Sequence, residues 1–408
     1  MATSSLPTLA KPLTDARGRR TLLIVLFMTA GYSVSFVSPI VYAQLAARIG
    51  GTAAAAGYVA AFELAFTAVG NLLAAVVGAR ARVRPVGLAA LGLFAIANLG
   101  CTLDLSVSAV LALRAASGLS EGFVVGLGAI FIARTERPER TYAAMLLAGG
   151  LYAACANPVL NSLVDSGWGD AIFVLFAAWA IVAAAALDRL CRAAGGMVPA
   201  PVARAATSAA WREGLGGRET ALGAGVLFAL FLFLIASLGF WPFMKLAAHH
   251  YGHMSGTISL GLGVYSLAGV VTALAVSLGG QRLPSTLALL IGLLLAIAAP
   301  AILLGPRPPS LFIAGLAVYA MSWNIVCPFV VKLLSRIDPS GRLNSLGAAV
   351  NTVSYSIGAA LGAVAMDWKS YVGLEYFLVL SILASAVLML PVSRMIAKAP
   401  GADAGAAA

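Results

Sequence analysis

The chain has 408 residues, of which 61% are hydrophobic and only 10% charged, and its formal charge is +11. Soluble domains bury less apolar material than this, so the composition marks a polytopic membrane protein. The cations are spread over many short loops, which excludes a nucleic-acid surface as their explanation, and four cysteines without metal-ligand spacing imply neither disulfides nor zinc.

A hydrocarbon core of about 30 Å needs roughly 20 apolar residues of helix. In chain order the predicted spans are 21–46, 53–79, 86–105, 107–133, 141–164 and 170–190, then 220–246, 255–279, 285–305, 310–334, 343–366 and 371–394. The first run has full spanning length and no small-residue cleavage site, so it reads as a retained helix behind a tail of residues 1–20. Residues 191–219, with Gly195, Gly196, Pro199 and Pro201, read as a linker between a bundle at 21–190 and another at 220–395, before a tail at 396–408. The expected fold class is an all-α membrane protein of twelve transmembrane helices, arranged as two six-helix bundles related by pseudo-two-fold symmetry.

Loop charge sets the expected orientation. Arg17, Arg19 and Arg20 precede the first span, Arg80, Arg82 and Arg84 follow the second, and Arg134, Arg137 and Arg140 follow the fourth. Later loops of the same parity carry Arg282, then Lys332, Arg336 and Arg342, so both termini are expected in the cytoplasm and the protein in a bacterial inner membrane.

The halves also repeat. Arg134, Glu136 and Arg140 have the same spacing as Arg336, Asp338 and Arg342, and Pro39 stands about two hundred residues before Pro242. Such a repeat is the mark of transporters whose halves rock about a midplane site.

Arg114 in the run Leu113-Arg114-Ala-Ala-Ser-Gly118, the Arg137-Pro138-Glu139-Arg140 run, Pro158, and Gly167-Trp168 with Phe173 beyond together resemble the major facilitator superfamily over essentially the whole chain. The resemblance implies a secondary transporter working by alternating access, with a gate at Arg80, Arg82, Arg84, Arg134, Arg140, Asp338 and Arg342 and a pivot at Pro158. Two departures stand out: residues 78–85 keep the bases of the family's loop without its Asp, and Asn157-Pro158 is followed by Asn161-Ser162 where proton-driven exporters show paired glycines.

Ionisable groups within the bilayer are expensive and functional by default. Glu63, Arg114 and Glu121 are the candidates for proton coupling. Arg114 and Glu121 are seven residues apart and share a helix face, either as a titrating carboxyl tuned by a cation or as a permanent ion pair. The resemblance places the fourth helix on the central cavity. Glu63 is expected to join the gate, to titrate, or to bond a neighbour such as Asn71. Tyr32, Ser35, Phe240, Trp241, Trp323 and Asn324 are the candidate substrate contacts. His249, His250 and His253 read as a solvated loop, with pH sensing as the alternative.

No phosphate-binding loop or His-Glu-x-x-His motif occurs, so no enzymatic activity and no cofactor are expected, and a proton gradient is the expected energy source. The expected partners are a small-molecule substrate and membrane lipids, with no nucleic acid, and the protein is expected to act as a monomer. The function expected is proton-coupled transport of a small organic molecule, leaning to efflux of amphipathic or drug-like compounds. A proton-coupled importer of a small carboxylate and a non-transporting receptor with the same fold are the alternatives.

Overall fold

Proline breaks the first crossing of each half at matching places. In the computed structural model, which describes residues 16–77, 83–136, 138–193, 216–279, 283–338 and 342–397, helix α1 (Ala16–Phe36) stops at Val37. Helix α2 (Ser38–Arg48) then starts with Pro39 in its first turn, where a missing N–H removes no bond. The two form one crossing bent by 53°. In the second half α8 (Gly217–Phe240) passes through a 3₁₀ turn at Trp241–Phe243, around Pro242, into α9 (Met244–His250).

The first half continues with α3 (Ala53–Val77), α4 (Val83–Gly100), α5 (Val107–Ala133), α6 (Pro138–Asp165) and α7 (Ala171–Ala193). The second continues with α10 (Ser255–Gly279), α11 (Ser285–Leu303), α12 (Pro309–Ile337) and α13 (Arg342–Ala397). Helix α13 is two crossings, because Lys369 and Ser370 leave helical geometry and Ser370 has φ 54°, a region rarely used without glycine. With α1 and α2 counted as one crossing, the described residues traverse the bundle twelve times. Most of the 191–219 segment lies outside the described residues, as do Arg80, Arg82, Arg137 and the ends of both tails.

Small residues set the closest packing in the first half. A Cβ on Gly118 would collide with the carbonyl oxygen of Glu63, and one on Gly122 with that of Thr67. The spacing Gly118, Gly122, Gly126 therefore lets α3 and α5 approach backbone to backbone, a common device where water supplies no drive for association.

The halves are joined away from the face at which α1 begins and α13 ends. Tyr58 donates to Asp367 Oδ2 at 2.6 Å, Asn161 Nδ2 to Ser259 Oγ at 2.9 Å, and Lys245 Nζ lies 3.6 Å from Asp165 Oδ1. Nearer the middle, Ser356 Oγ donates to the Ala61 carbonyl at 2.7 Å and Trp241 Nε1 to the Ser35 carbonyl at 3.3 Å. At the terminal face the ion pairs Arg17–Glu136 (3.0 Å) and Arg84–Asp188 (2.5 Å) each stay within the first half.

Candidate functional site

The tight α3–α5 contact sets Glu63 level with Arg114. Arg114 Nη1 lies 3.1 Å from Glu63 Oε1, with the two side chains 0% and 1% exposed. Its Nη2 donates to Asn98 Oδ1 of α4 at 3.0 Å, and Asn98 Nδ2 donates to the Phe94 carbonyl at 2.8 Å and reaches Ser117 Oγ at 3.5 Å. Ser117, one turn before Glu121, donates to Glu121 Oε1 at 2.9 Å. The Phe173 ring of α7 covers the guanidinium, with its centroid 5.5 Å from Cζ.

These contacts select among the readings that the sequence leaves open. Arg114 pairs with Glu63 and not with Glu121, because two turns of one helix separate residues by about 10 Å along the axis, whereas the glycines bring Glu63 alongside. Glu63 likewise bonds the guanidinium instead of Asn71. Arg114 and Glu121 are both buried, at 0% and 2% exposure. Asn98 and Ser117, which complete the network, were not singled out in the sequence, although a lone Asn in the apolar α4 and a Ser four residues before Glu121 were visible there.

The cluster holds two carboxyls and one guanidinium, and Glu63 is an electrostatic neighbour of Glu121. Glu63 Oε2 and Arg114 Nε have no hydrogen-bond partner among the described residues. Arg48 cannot supply a second positive charge, because it is engaged by Asp170 and the Cys101 carbonyl. With both carboxyls ionised the cluster therefore carries one uncompensated negative charge in a buried site, which costs several kcal/mol. One bound proton removes it.

A small cavity between the halves is lined by Ser35, Ser38, Tyr42, Leu64, Leu238, Trp241, Pro242 and Tyr355. Trp241 stacks on Tyr265 with ring centroids 4.3 Å apart, and Tyr319 lies 5.8 Å from Tyr265. Tyr32 faces the same region, with Tyr142 and Tyr355 as neighbours. Trp323 is half-buried and its indole N–H has no partner among the described residues, while the Asn324 amide donates to its own helix at the Ala320 carbonyl, 2.9 Å away. Phe240 lies instead against Tyr319 and lines a separate small cavity inside the second half, with Ser237, Pro300 and Leu378.

Of the gate residues, Arg84 finds its carboxylate on α7, at Asp188, in a loop that lacks the family's Asp. Asp338 accepts from the Leu343 N–H at 3.1 Å and so caps the start of α13. The Arg134 carbonyl accepts from Arg20 at 3.4 Å, and Arg140 is exposed. The Arg342 side chain lies outside the described residues. Pro158 packs on Gly263 of the opposite half. The three histidines do not converge: His250 stacks on Tyr371 and His253 on Phe312, each at 4.2 Å. His253 is only 6% exposed and so departs from the solvated reading, and burial holds its imidazole below the usual histidine value.

The two halves differ at equivalent positions. Helices α3, α4 and α5 begin at residues 53, 83 and 107, and α10, α11 and α12 at 255, 285 and 309, a constant displacement of 202. At that displacement Glu63 corresponds to Tyr265, Asn98 to Pro300, Arg114 to Leu316, Ser117 to Tyr319 and Glu121 to Trp323. Each charged member of the first half has an uncharged, mostly aromatic counterpart in the second.

Known proteins agree with this architecture. No curated protein matches the chain in sequence. Among solved structures, the nucleoside transporter NupG superimposes with a TM-score of 0.70 at 14% identity, covering 93% of this chain and 99% of that one. A D-xylose-proton symporter gives 0.68 at 16% identity over 92% and 98% of the two chains. A POT family transporter in complex with a thioalcohol-conjugated peptide gives 0.70 at 12% identity over 93% and 97%. These likenesses establish the fold. The sequence profile of the Major Facilitator Superfamily matches residues 21–363, and with twelve crossings in two repeated halves the chain belongs to that superfamily of membrane transporters.

Proposed function

We propose that the protein exports amphipathic organic cations in exchange for protons, with the Glu63, Arg114 and Glu121 cluster as the proton site. The observation that carries this reading is charge balance: two buried carboxyls stand in one network with a single guanidinium, next to a cavity walled by Trp241 and Tyr355. A proton or a positively charged ligand near the cluster can each offset its unpaired negative charge. Ligand and proton are then alternatives, which is the requirement for exchange. Aromatic faces suit a cation shielded from water.

Import of a small carboxylate fits less well. Arg114, the guanidinium that would bind the anion, is enclosed and already held by Glu63 and Asn98. The loop cations support an orientation with both termini in the cytoplasm of a bacterium. The links at Tyr58–Asp367, Asn161–Ser259 and Lys245–Asp165 then close the outer side, and alternating access requires them to part.

Calorimetric titration of the purified protein with tetraphenylphosphonium at pH 6 and pH 8 tests the proposal. Binding should tighten by at least about tenfold at the higher pH, where a competing proton is scarcer, and Glu121→Gln should bind with no such dependence. Equal affinity at both pH values, or a Glu121→Gln variant that behaves as wild type, would refute it.

A further inference from the structure

The carboxyls of Glu63 and Glu121 are 1% and 2% exposed as residues, so a proton that reaches them from water needs a conducting group. One residue touches both environments. Tyr42, on the short helix α2 beyond the Pro39 break, is itself 1% exposed and has Glu63, Glu121 and Arg114 as its charged neighbours. It also lines the cavity between the halves, together with Ser38 one turn earlier and with Trp241 and Tyr355 of the opposite half, and Leu64, next to Glu63 in the chain, lines the same cavity. The other titratable residue of that lining, Tyr355, has Tyr265, Cys327 and Tyr142 as its electrostatic neighbours and none of the cluster.

From this placement, and resting on the proton-site reading above, we propose that the Tyr42 hydroxyl is the proton relay between the carboxyl pair and the central cavity. In the outward step of the proton, the phenol gives its own hydrogen to solvent in the cavity while its oxygen takes the hydrogen from the Glu63 carboxyl. The O–H bond broken on one side is replaced on the other, the phenol ends unchanged and neutral, and the carboxyl ends ionised. The reverse step loads the site. A ligand admitted beside Trp241 and Tyr355 when the halves part sits against the cavity end of this path, so the relay joins the place where cargo enters to the site where the proton is held. The position equivalent to Tyr42 in the second half is Met244, which cannot conduct a proton, and the positions equivalent to Glu63 and Glu121 there are Tyr265 and Trp323.

A relay changes rates and leaves equilibria alone, and the test uses that difference. Stopped-flow mixing of the protein with tetraphenylphosphonium in weak buffer with a pH dye reads proton release directly. Tyr42→Phe keeps the ring and the packing, and Tyr42→Met borrows the residue of the equivalent position should the first variant fold poorly. At saturating cation both should release the same number of protons per cation bound, but release them about 100-fold more slowly, the scale of a lost proton-transfer group. Release at the wild-type rate in either folded variant would overturn the relay. A Glu121→Gln variant that still releases a proton on binding would overturn the proton site itself, and the two failures are separate.

Discussion

Replacing Arg114 by Met removes the guanidinium paired with the buried Glu63 carboxyl and keeps most of the side-chain volume. At the 3.1 Å separation of Arg114 Nη1 and Glu63 Oε1, Coulomb's law with an effective dielectric of roughly 20 gives about 5 kcal/mol. Breaking a buried pair by deleting one partner costs about 3–5 kcal/mol in practice, because the survivor is left uncompensated. Arg114→Met should therefore destabilise the protein by that amount, and adding Glu63→Gln should restore much of the loss, since the stranded charge is gone. The coupling energy from this double-mutant cycle should be about 2–3 kcal/mol, whereas the same cycle between Arg114 and Glu121, joined only through Asn98 and Ser117, should be smaller. Tryptophan fluorescence during SDS unfolding from mixed micelles measures each variant. Effects of Arg114→Met and Glu63→Gln that add to within about 0.5 kcal/mol would refute the pairing, as would stronger coupling to Glu121.

Gly122→Val should destabilise by about 1–3 kcal/mol or abolish folding, because its side chain must push α3 from α5, while Gly256→Ala, where a Cβ meets open space, should be neutral in the same unfolding assay. His253 should make stability pH-dependent: its folded value lies below the unfolded one near 6.5, so its neutral form supports the fold above that pH and the contribution is lost as pH falls through the interval between the two values. His253→Phe should therefore flatten the difference in melting temperature between pH 7.5 and pH 5.5, and an unchanged difference would contradict the burial argument.

What the chain reveals by itself is set by how local the physics is. Span length and loop charge are local, so Val107–Ala133 and Ser255–Gly279 coincide with the expected helices and the break at Lys369 and Ser370 falls between the last two expected spans. The proline breaks at Val37 and Trp241 are equally local. The Arg114–Glu63 pair is not, since its members are 51 residues apart and meet only because Gly118 and Gly122 admit the α3 backbone. The glycine spacing was written in the chain, but which helix it receives depends on the tertiary fold. Tyr42 is illegible in the sequence for a similar reason: a tyrosine near the end of an apolar run looks like packing until the fold sets the carboxyls and the cavity beside it.

The constant displacement of 202 residues carries the argument one step further. If the halves descend from one unit, the charged set of the first and the aromatic set of the second are two uses of the same positions. Proton binding and cargo binding should then be separable by mutation. Trp241 is 8% exposed, is stacked on Tyr265 and donates to the Ser35 carbonyl of the opposite half. Loss of a desolvated cation–aromatic contact is worth about 2 kcal/mol, so Trp241→Leu should weaken tetraphenylphosphonium binding by roughly thirtyfold. Trp241→Phe keeps a ring face and loses only the bond to Ser35, so it should fall between. For every variant at this position, titration in two buffers of different ionisation enthalpy should still find the wild-type number of protons released per cation bound. Glu121→Gln should show the opposite pattern, with retained binding and no proton release. If Trp241→Leu also abolished proton release at saturating ligand, the aromatic and charged sets would be one site, and the division of labour between the halves would fail.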